Sequence, residues 1–219
     1  MNALPHRVFV TGGTGYVGLP LIAELLQRGH EVCALVRPGS EKKLPAGCQA
    51  ILGDALNNKS YAAEIAPADT FLQLVGVAHP SPAKAAEFRN IDLVSGQSAI
   101  EAAGIAGVKH FVYISVAHPA PMMKPYIEVR SQCEAMIGKS GLNATIMRPW
   151  YVLGPGHRWP YLLLPMYKIA ELLPSTRAGA SRLGLVTLSQ MVRALVQVVE
   201  TPARGVRIVE VPEIRALSS

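Results

Sequence analysis

The chain has 219 residues and 23.4 kDa, long enough for one well-buried α/β core. Half of it is hydrophobic and the mean hydropathy is +0.26, yet the longest apolar stretch, Trp159 to Leu173, is broken by Pro160, Pro165, Lys168 and Glu171 and falls short of a membrane span. The net charge of +6 is dispersed, with Lys42-Lys43 the one basic pair, so it suits an anionic small molecule and excludes the basic, aromatic-interleaved stripe of a nucleic-acid binder.

Cys33, Cys48 and Cys133 are scattered and lack metal-ligand spacing, which reads as structural thiols in a reducing compartment with no metal site. The N-terminus runs directly into a strand pattern without the apolar core of a signal peptide, so the expected location is the cytoplasm. Surplus apolar surface is expected to line a pocket or a subunit contact, and a homodimer is left open.

The first element is the most informative. Val8, Phe9 and Val10 form an apolar β-type run with no polar face, as in a central parallel strand. Glycines follow at 12, 15 and 18. Behind them Leu19 to Arg28 reads as a helix with Leu21, Ile22, Leu25 and Leu26 on one side, ending at Gly29. A glycine turn between a buried strand and a helix N-terminus suits a dinucleotide pyrophosphate: backbone N–H groups approach phosphate without an intervening Cβ, and the helix start is partially positive. The spacing is G-x-x-G-x-x-G, not G-x-G-x-x-G.

The spelling Thr11-Gly12-Gly13-Thr14-Gly15-Tyr16-Val17-Gly18 resembles the extended and atypical branches of the short-chain dehydrogenase/reductase superfamily, which include NmrA-like and NAD-dependent epimerase-like NAD(P)-binding proteins. The resemblance implies an α/β fold, a Rossmann-like doubly wound parallel sheet with a small C-terminal cap. It places Gly12, Thr14, Gly15, Tyr16, Val17 and Gly18 at the cofactor. One domain over residues 1–219 is expected, the part after about 156 forming the substrate-side cap.

The second strand, Glu31 to Val36, ends at Arg37, where an NAD-preferring protein carries an acid for the ribose 2′-hydroxyl. A guanidinium pairs with a 2′-phosphate, so Arg37 points to NADP(H) over NAD(H), with Ser40 and Lys43 as helpers; otherwise it is a solvated arginine at a strand end. A third strand, Ala50 to Leu52, leads to Gly53-Asp54-Ala55-Leu56. Here the resemblance implies that Asp54 binds the adenine amino group and Ala55 or Leu56 packs on the ring. Asp54 or Asn57 would also serve as N-cap to a helix Lys59–Ile65. After the fourth strand, Thr70 to Val75, the resembling families run past the cofactor ribose, which puts Val75, Gly76 and Val77 there. His79 either faces the substrate or is a turn residue.

A helix is expected over Ala83 to Ala103, ended by Gly104, with Asn90 matching the asparagine of the family's N-[VI]-x-G-T. The fifth strand, His110 to Val116, ends near Ser115. Tyr126 and Arg130 stand i and i+4 on the next helix. The superfamily's catalytic Ser, Tyr and Lys map to Ser115, Tyr126 and Arg130, the arginine replacing the lysine. A phenol ordinarily loses its proton only near pH 10, so it needs a neighbouring cation to exchange that proton readily at neutral pH. The alternative is an exposed tyrosine and an Arg130–Glu134 helix pair.

A sixth strand, Asn143 to Met147, precedes Arg148-Pro149-Trp150-Tyr151-Val152-Leu153-Gly154-Pro155-Gly156, which resembles R-P-x-x-[VL]-x-G-P-G. That motif implies cofactor contacts from Pro149, Tyr151 and Val152, with Arg148 as a structural anchor. Arg158 and Trp159, with Tyr161, are candidates for holding an anionic substrate or are rim aromatics. A run Leu183–Thr187, a helix Ser189–Glu200 capped by Ser189, and a strand Val206–Val209 close the chain, Gln190 standing where the family has aspartate.

The resemblance spans Arg7 to about Val209. It implies an NADPH-dependent oxidoreductase acting by hydride transfer on a small carbonyl-like substrate. The alternative is a non-catalytic NAD(P)H-binding redox sensor or assembly protein, favoured by Arg130. The short cap disfavours a sugar-nucleotide epimerase.

Overall fold

The structure, a computed structural model, describes residues 5–155, 179 and 182–218. Among the described residues there are nine strands: β1 (Arg7–Thr11), β2 (Glu31–Val36), β3 (Gln49–Leu52), β4 (Thr70–Gln73), β5 (His110–Ile114), β6 (Ala144–Arg148), β7 (Tyr151–Leu153), β8 (Leu185–Thr187) and β9 (Val206–Glu210). Seven make one sheet in the order β3-β2-β1-β4-β5-β6-β9, with every pairing parallel. The chain leaves β1 in one direction for β2 and β3 and returns to the other side for β4, so the order reverses between β1 and β4. In such sheets ligands bind outside the carboxyl ends of the strands at that reversal. β7 and β8 form a separate parallel pair.

Alternation along the strands splits the core into two layers. Val8, Val10, Leu72, Val112 and Met147 face helices α1 (Gly18–Gln27), α4 (Leu188–Glu200) and α5 (Val211–Leu217). Phe9, Phe71, Phe111, Tyr113 and Ile146 face the other side, where Ala102, Ala103, Cys133 and Ile137 come from two further helices. Phe9, Phe71 and Phe111 are in register across β1, β4 and β5, their rings 5.2 and 5.4 Å apart. The first of these helices, α2, is one continuous run: an α turn Ala85–Glu87, a π segment Phe88–Leu93 and a regular part Val94–Ala106. The second is α3 (Lys124–Lys139). This is the expected Rossmann-like, doubly wound α/β architecture.

Several local expectations are corrected. Gly104 lies inside α2, and Gly107 ends it at φ 63°, because Gly107 N–H and Val108 N–H close onto Gly104 and Ala103. Two 3-10 turns, Asn58–Ser60 and Ala62–Glu64, replace the helix Lys59–Ile65, with the Asn57 carboxamide oxygen accepting from Lys59 N–H at 3.2 Å. Helix α4 is capped by Thr187, not Ser189. The Thr187 hydroxyl accepts from Gln190 N–H (3.1 Å) and the Gln190 side chain accepts from Thr187 N–H (2.9 Å), a capping box that gives Gln190 a structural task. Helix α5 is additional to the expected elements. Among the described residues no helix is long and apolar enough to cross a membrane.

Candidate functional site

The glycine turn sits at the carboxyl end of β1. Gly12 adopts φ 75° and its carbonyl accepts from Gly15 N–H at 3.0 Å, which folds the chain back before α1. A Cβ on Gly18 would stand 2.5 Å from the Gly12 oxygen, so glycine there lets helix and turn touch. Among the described residues a Cβ on Gly15 would meet only that oxygen, at 3.1 Å, so this side of the turn is open with respect to them. Val17, the N-cap of α1, makes no side-chain capping hydrogen bond, and no acid stands in the helix's first turn. The open glycine face and uncapped helix start fit a dinucleotide pyrophosphate. Thr14 is half-buried beside them. Tyr16 turns its hydroxyl onto Gly154, so the turn also contacts the segment carrying Tyr151 and Val152.

The neighbouring strand ends lie beside the turn. Arg37 is exposed, one residue beyond β2, its carbonyl accepting from Ser40 N–H across a turn with Gly39 at φ 84°; among the described residues it has no ion-pair partner. Asp54 is exposed beyond β3, and its Oδ1 accepts from Leu56 N–H at 2.9 Å, while Ala55 packs on the core. Val75 lies against the glycine turn, since a Cβ on Gly12 would fall 2.9 Å from its nitrogen. A Cβ on Gly76 would collide with the Arg130 guanidinium, and Val77 N–H donates to Asp92 Oδ2 at 3.1 Å. His79 is exposed at φ 49°, a loop-tip conformation. Pro149 is buried, and its carbonyl accepts from Ala117 N–H at 2.9 Å. Arg158, Trp159 and Tyr161 lie outside the described residues.

Tyr126 and Arg130 meet on one face of α3. The guanidinium carbon is 5.0 Å from the Tyr126 ring centroid, and the Phe88 ring packs 4.9 Å from the same ring. Arg130 is buried. It donates from Nη1 to the Tyr113 hydroxyl (3.1 Å) and the Ile114 carbonyl (2.8 Å), and from Nη2 to Asp92 Oδ1 (2.5 Å). Burial pushes the Tyr126 phenol above its ordinary value; Arg130 pulls it down and Asp92 pushes it up. The lowering expected from a neighbouring cation is therefore present but outweighed by burial and by the acid behind that cation.

Ser115 is buried one residue past β5, and its hydroxyl donates to Glu134 Oε1 at 2.5 Å. Arg148 grips the same carboxylate with Nε (3.1 Å) and Nη2 (2.5 Å), and His118 Nε2 lies 3.4 Å from it. Burial raises the Glu134 carboxyl, but Arg148, the Ser115 hydroxyl and His118 together hold it below the usual range. With its proton committed to an ionised glutamate, Ser115 offers other groups lone pairs, not a donor. Arg148 is the structural anchor expected. The alternative pair Arg130–Glu134 does not form, because each side chain has a different buried partner.

Sequence reasoning missed Asp92, Glu134 and Tyr113. Asn90, the expected motif residue, is exposed, whereas Asp92 two positions on is fully buried in the π segment. An acid between Ile91 and Leu93 on an apolar helix was the available signal.

Residues 12–158 match the NAD(P)H-binding family. The chain belongs to that family. Solved structures that share its fold include a short-chain dehydrogenase/reductase superfamily protein and several epimerases. It is 26% identical over 170 residues to a 4-hydroxy-2-methyl-3-oxo-4-farnesyl-3,4-dihydroquinoline-1-oxide ketoreductase of Stigmatella aurantiaca, covering 68% of this chain and 51% of that protein. A 3-diazoavenalumate denitrifying reductase of a Streptomyces species is 27% identical, with 91% of this chain and 74% of that one covered. The fold matches the Bordetella bronchiseptica enzyme WbmH, solved with NAD+, at a TM-score of 0.69 and 23% identity over 93% of this chain and 75% of that one. The chain thus spans about half the length of the ketoreductase it matches.

Proposed function

We propose that this family member is an NADPH-using oxidoreductase that reduces a small carbonyl compound. The observation that carries the reading is the placement of Tyr126 beside the buried Arg130 cation, at the carboxyl edge of the sheet and against the Gly76 loop. NADPH, when bound, supplies the hydride. The chain's own groups do the rest. The open glycine turn holds the pyrophosphate, Arg37 takes the 2′-phosphate, and Asp54 with Ala55 faces the adenine. Tyr126 gives its proton to the substrate oxygen, and the Arg130 charge offsets the phenolate left behind. Ser115 accepts from that oxygen once it is protonated, which orients the product alcohol. Pro149, Tyr151 and Val152 border the nicotinamide side, and His79, Arg158 and Trp159 are on the substrate side. The reductases among the relatives support this class of chemistry. We read residues 1–219 as one such domain, in a reducing, cytoplasmic setting that suits the three free cysteines.

One observation favours a second reading, a sensor or assembly protein that keeps NADPH without turnover: the charge of Arg130 is already matched by Asp92, and burial holds the Tyr126 phenol high. NADPH oxidation with a panel of aldehydes, ketones and quinones decides between them. Turnover of any member supports the enzyme. Tight NADPH binding with no turnover across the panel supports the sensor.

A further inference from the structure

Asp92 takes no part in the chemistry proposed for this site, although an acid with no solvent exposure is costly to keep. Its place follows from the helix. In the π segment Phe88–Leu93 the winding is wider than in an α-helix, and it turns Asp92 inward while Arg89 and Asn90 stay in solvent. Each carboxylate oxygen then has a separate partner. Oδ1 accepts from Arg130 Nη2 on α3 at 2.5 Å, and Oδ2 accepts from Val77 N–H in the loop after β4 at 3.1 Å. Gly76, between them in space, has no room for a side chain against the guanidinium.

We infer that Asp92 is a positioning residue of this site: it fixes where the Arg130 cation stands relative to Tyr126 and fastens the Gly76–Val77 loop to that cation. One carboxylate thereby ties the loop expected beside the cofactor ribose to the helix that carries the phenol. The cofactor part of this inference rests on the proposed function; the Asp92–Arg130–Tyr126 part does not.

The groups around Tyr126 fix the direction of the effect. Arg130 faces it from its own helix, Asp92 and the Phe88 ring come from α2, and Tyr113 of β5 holds the far side of the guanidinium. Removing the Asp92 charge leaves the cation uncompensated beside the phenol, so the phenol should ionise more readily. Removing Arg130 should do the reverse. A residue that merely fills the core would move neither.

The test is a tyrosinate absorbance titration of the full chain, with the Tyr126 step identified as the one lost in Tyr126→Phe. Asp92→Asn is expected to move that step down by about one pH unit and Arg130→Met to move it up. NADPH affinity of Asp92→Asn, measured by fluorescence on the binary complex, is expected to fall about tenfold as the Val77 amide loses its charged partner. An unmoved Tyr126 step in Asp92→Asn overturns the inference. A moved step with unchanged affinity overturns its loop half alone. If the natural protein binds no NADPH, the proposed function falls, and the titration still decides the inference. Should Asp92→Asn fail to fold, Asp92→Asn/Arg130→Gln removes both charges and keeps hydrogen-bonding groups. Its Tyr126 step should then lie above the natural one, because the nearer charge has gone, and a natural-like step would overturn the inference.

Discussion

Arg130 Nη2 and Asp92 Oδ1 form a buried ion pair at 2.5 Å, joining the third helix to the π turn of the second. The same guanidinium also donates to the Tyr113 hydroxyl and the Ile114 carbonyl, a fork that an ammonium cannot reproduce. Arg130→Lys should therefore lower stability by about 1–3 kcal/mol, since two of the three acceptors lose their donor. Arg130→Met should cost more, about 3–5 kcal/mol, because Asp92 is left charged and alone. Denaturant unfolding measures both. A lysine variant as stable as the natural chain would show that the fork contributes nothing.

The glycines of the turn should separate binding from folding. At Gly15 a Cβ meets, among the described residues, only one backbone oxygen, so Gly15→Val should fill the opening and remove NADPH binding while Tm moves little. At Gly18 a Cβ strikes the Gly12 and Gly13 carbonyls, so Gly18→Ala should lower Tm. Paired melting curves and cofactor titrations read the contrast. Undiminished binding in Gly15→Val would move the phosphate site elsewhere.

Cofactor choice should rest on Arg37. Exposed at the end of β2, it should favour NADPH over NADH by about 1–3 kcal/mol, and Arg37→Glu should abolish or reverse that preference. Equal affinities in the natural protein would remove the assignment.

Acid sensitivity should trace to His110. Its Nε2 is 2.9 Å from the Thr145 hydroxyl, and burial pushes the imidazole down to about 4 from 6.5. The unfolded chain takes up the proton first, so this contribution is complete above pH 6.5 and is lost as pH falls towards 4. The loss amounts to about 3 kcal/mol. Unfolding midpoints at about pH 7 and about pH 4.5 should differ, and His110→Gln should narrow the gap. An unchanged gap in that variant would place the sensitivity elsewhere.

Most strands were legible because each carries its own apolar run: Glu31–Val36 is found as read, the other expected strands shift by one or two residues, and β7 (Tyr151–Leu153), inside the Arg148–Gly156 motif, was not read as a strand. The glycine turn was legible because glycine spacing and strand–helix context are local. What governs the site was not. Asp92 faces inward only through a π turn, which the ordinary helical periodicity hides. Glu134 lies i+4 from Arg130, and helical spacing alone pairs them, yet burial and the fork of Arg148 take it to Ser115. The carboxyl ends of β5 and β6 bring these partners together, and no local pattern records that.

The most direct measurement compares Tyr126→Phe with the natural protein in two assays on one preparation: NADPH affinity, and NADPH oxidation with whichever panel substrate turns over. Phenylalanine keeps the contact with Phe88 and removes only the hydroxyl, so affinity should stay within a few-fold. Turnover should fall by about 10²–10⁴, the usual contribution of a positioned proton donor. Turnover that survives at the natural rate would contradict the account and remove Tyr126 from the chemistry.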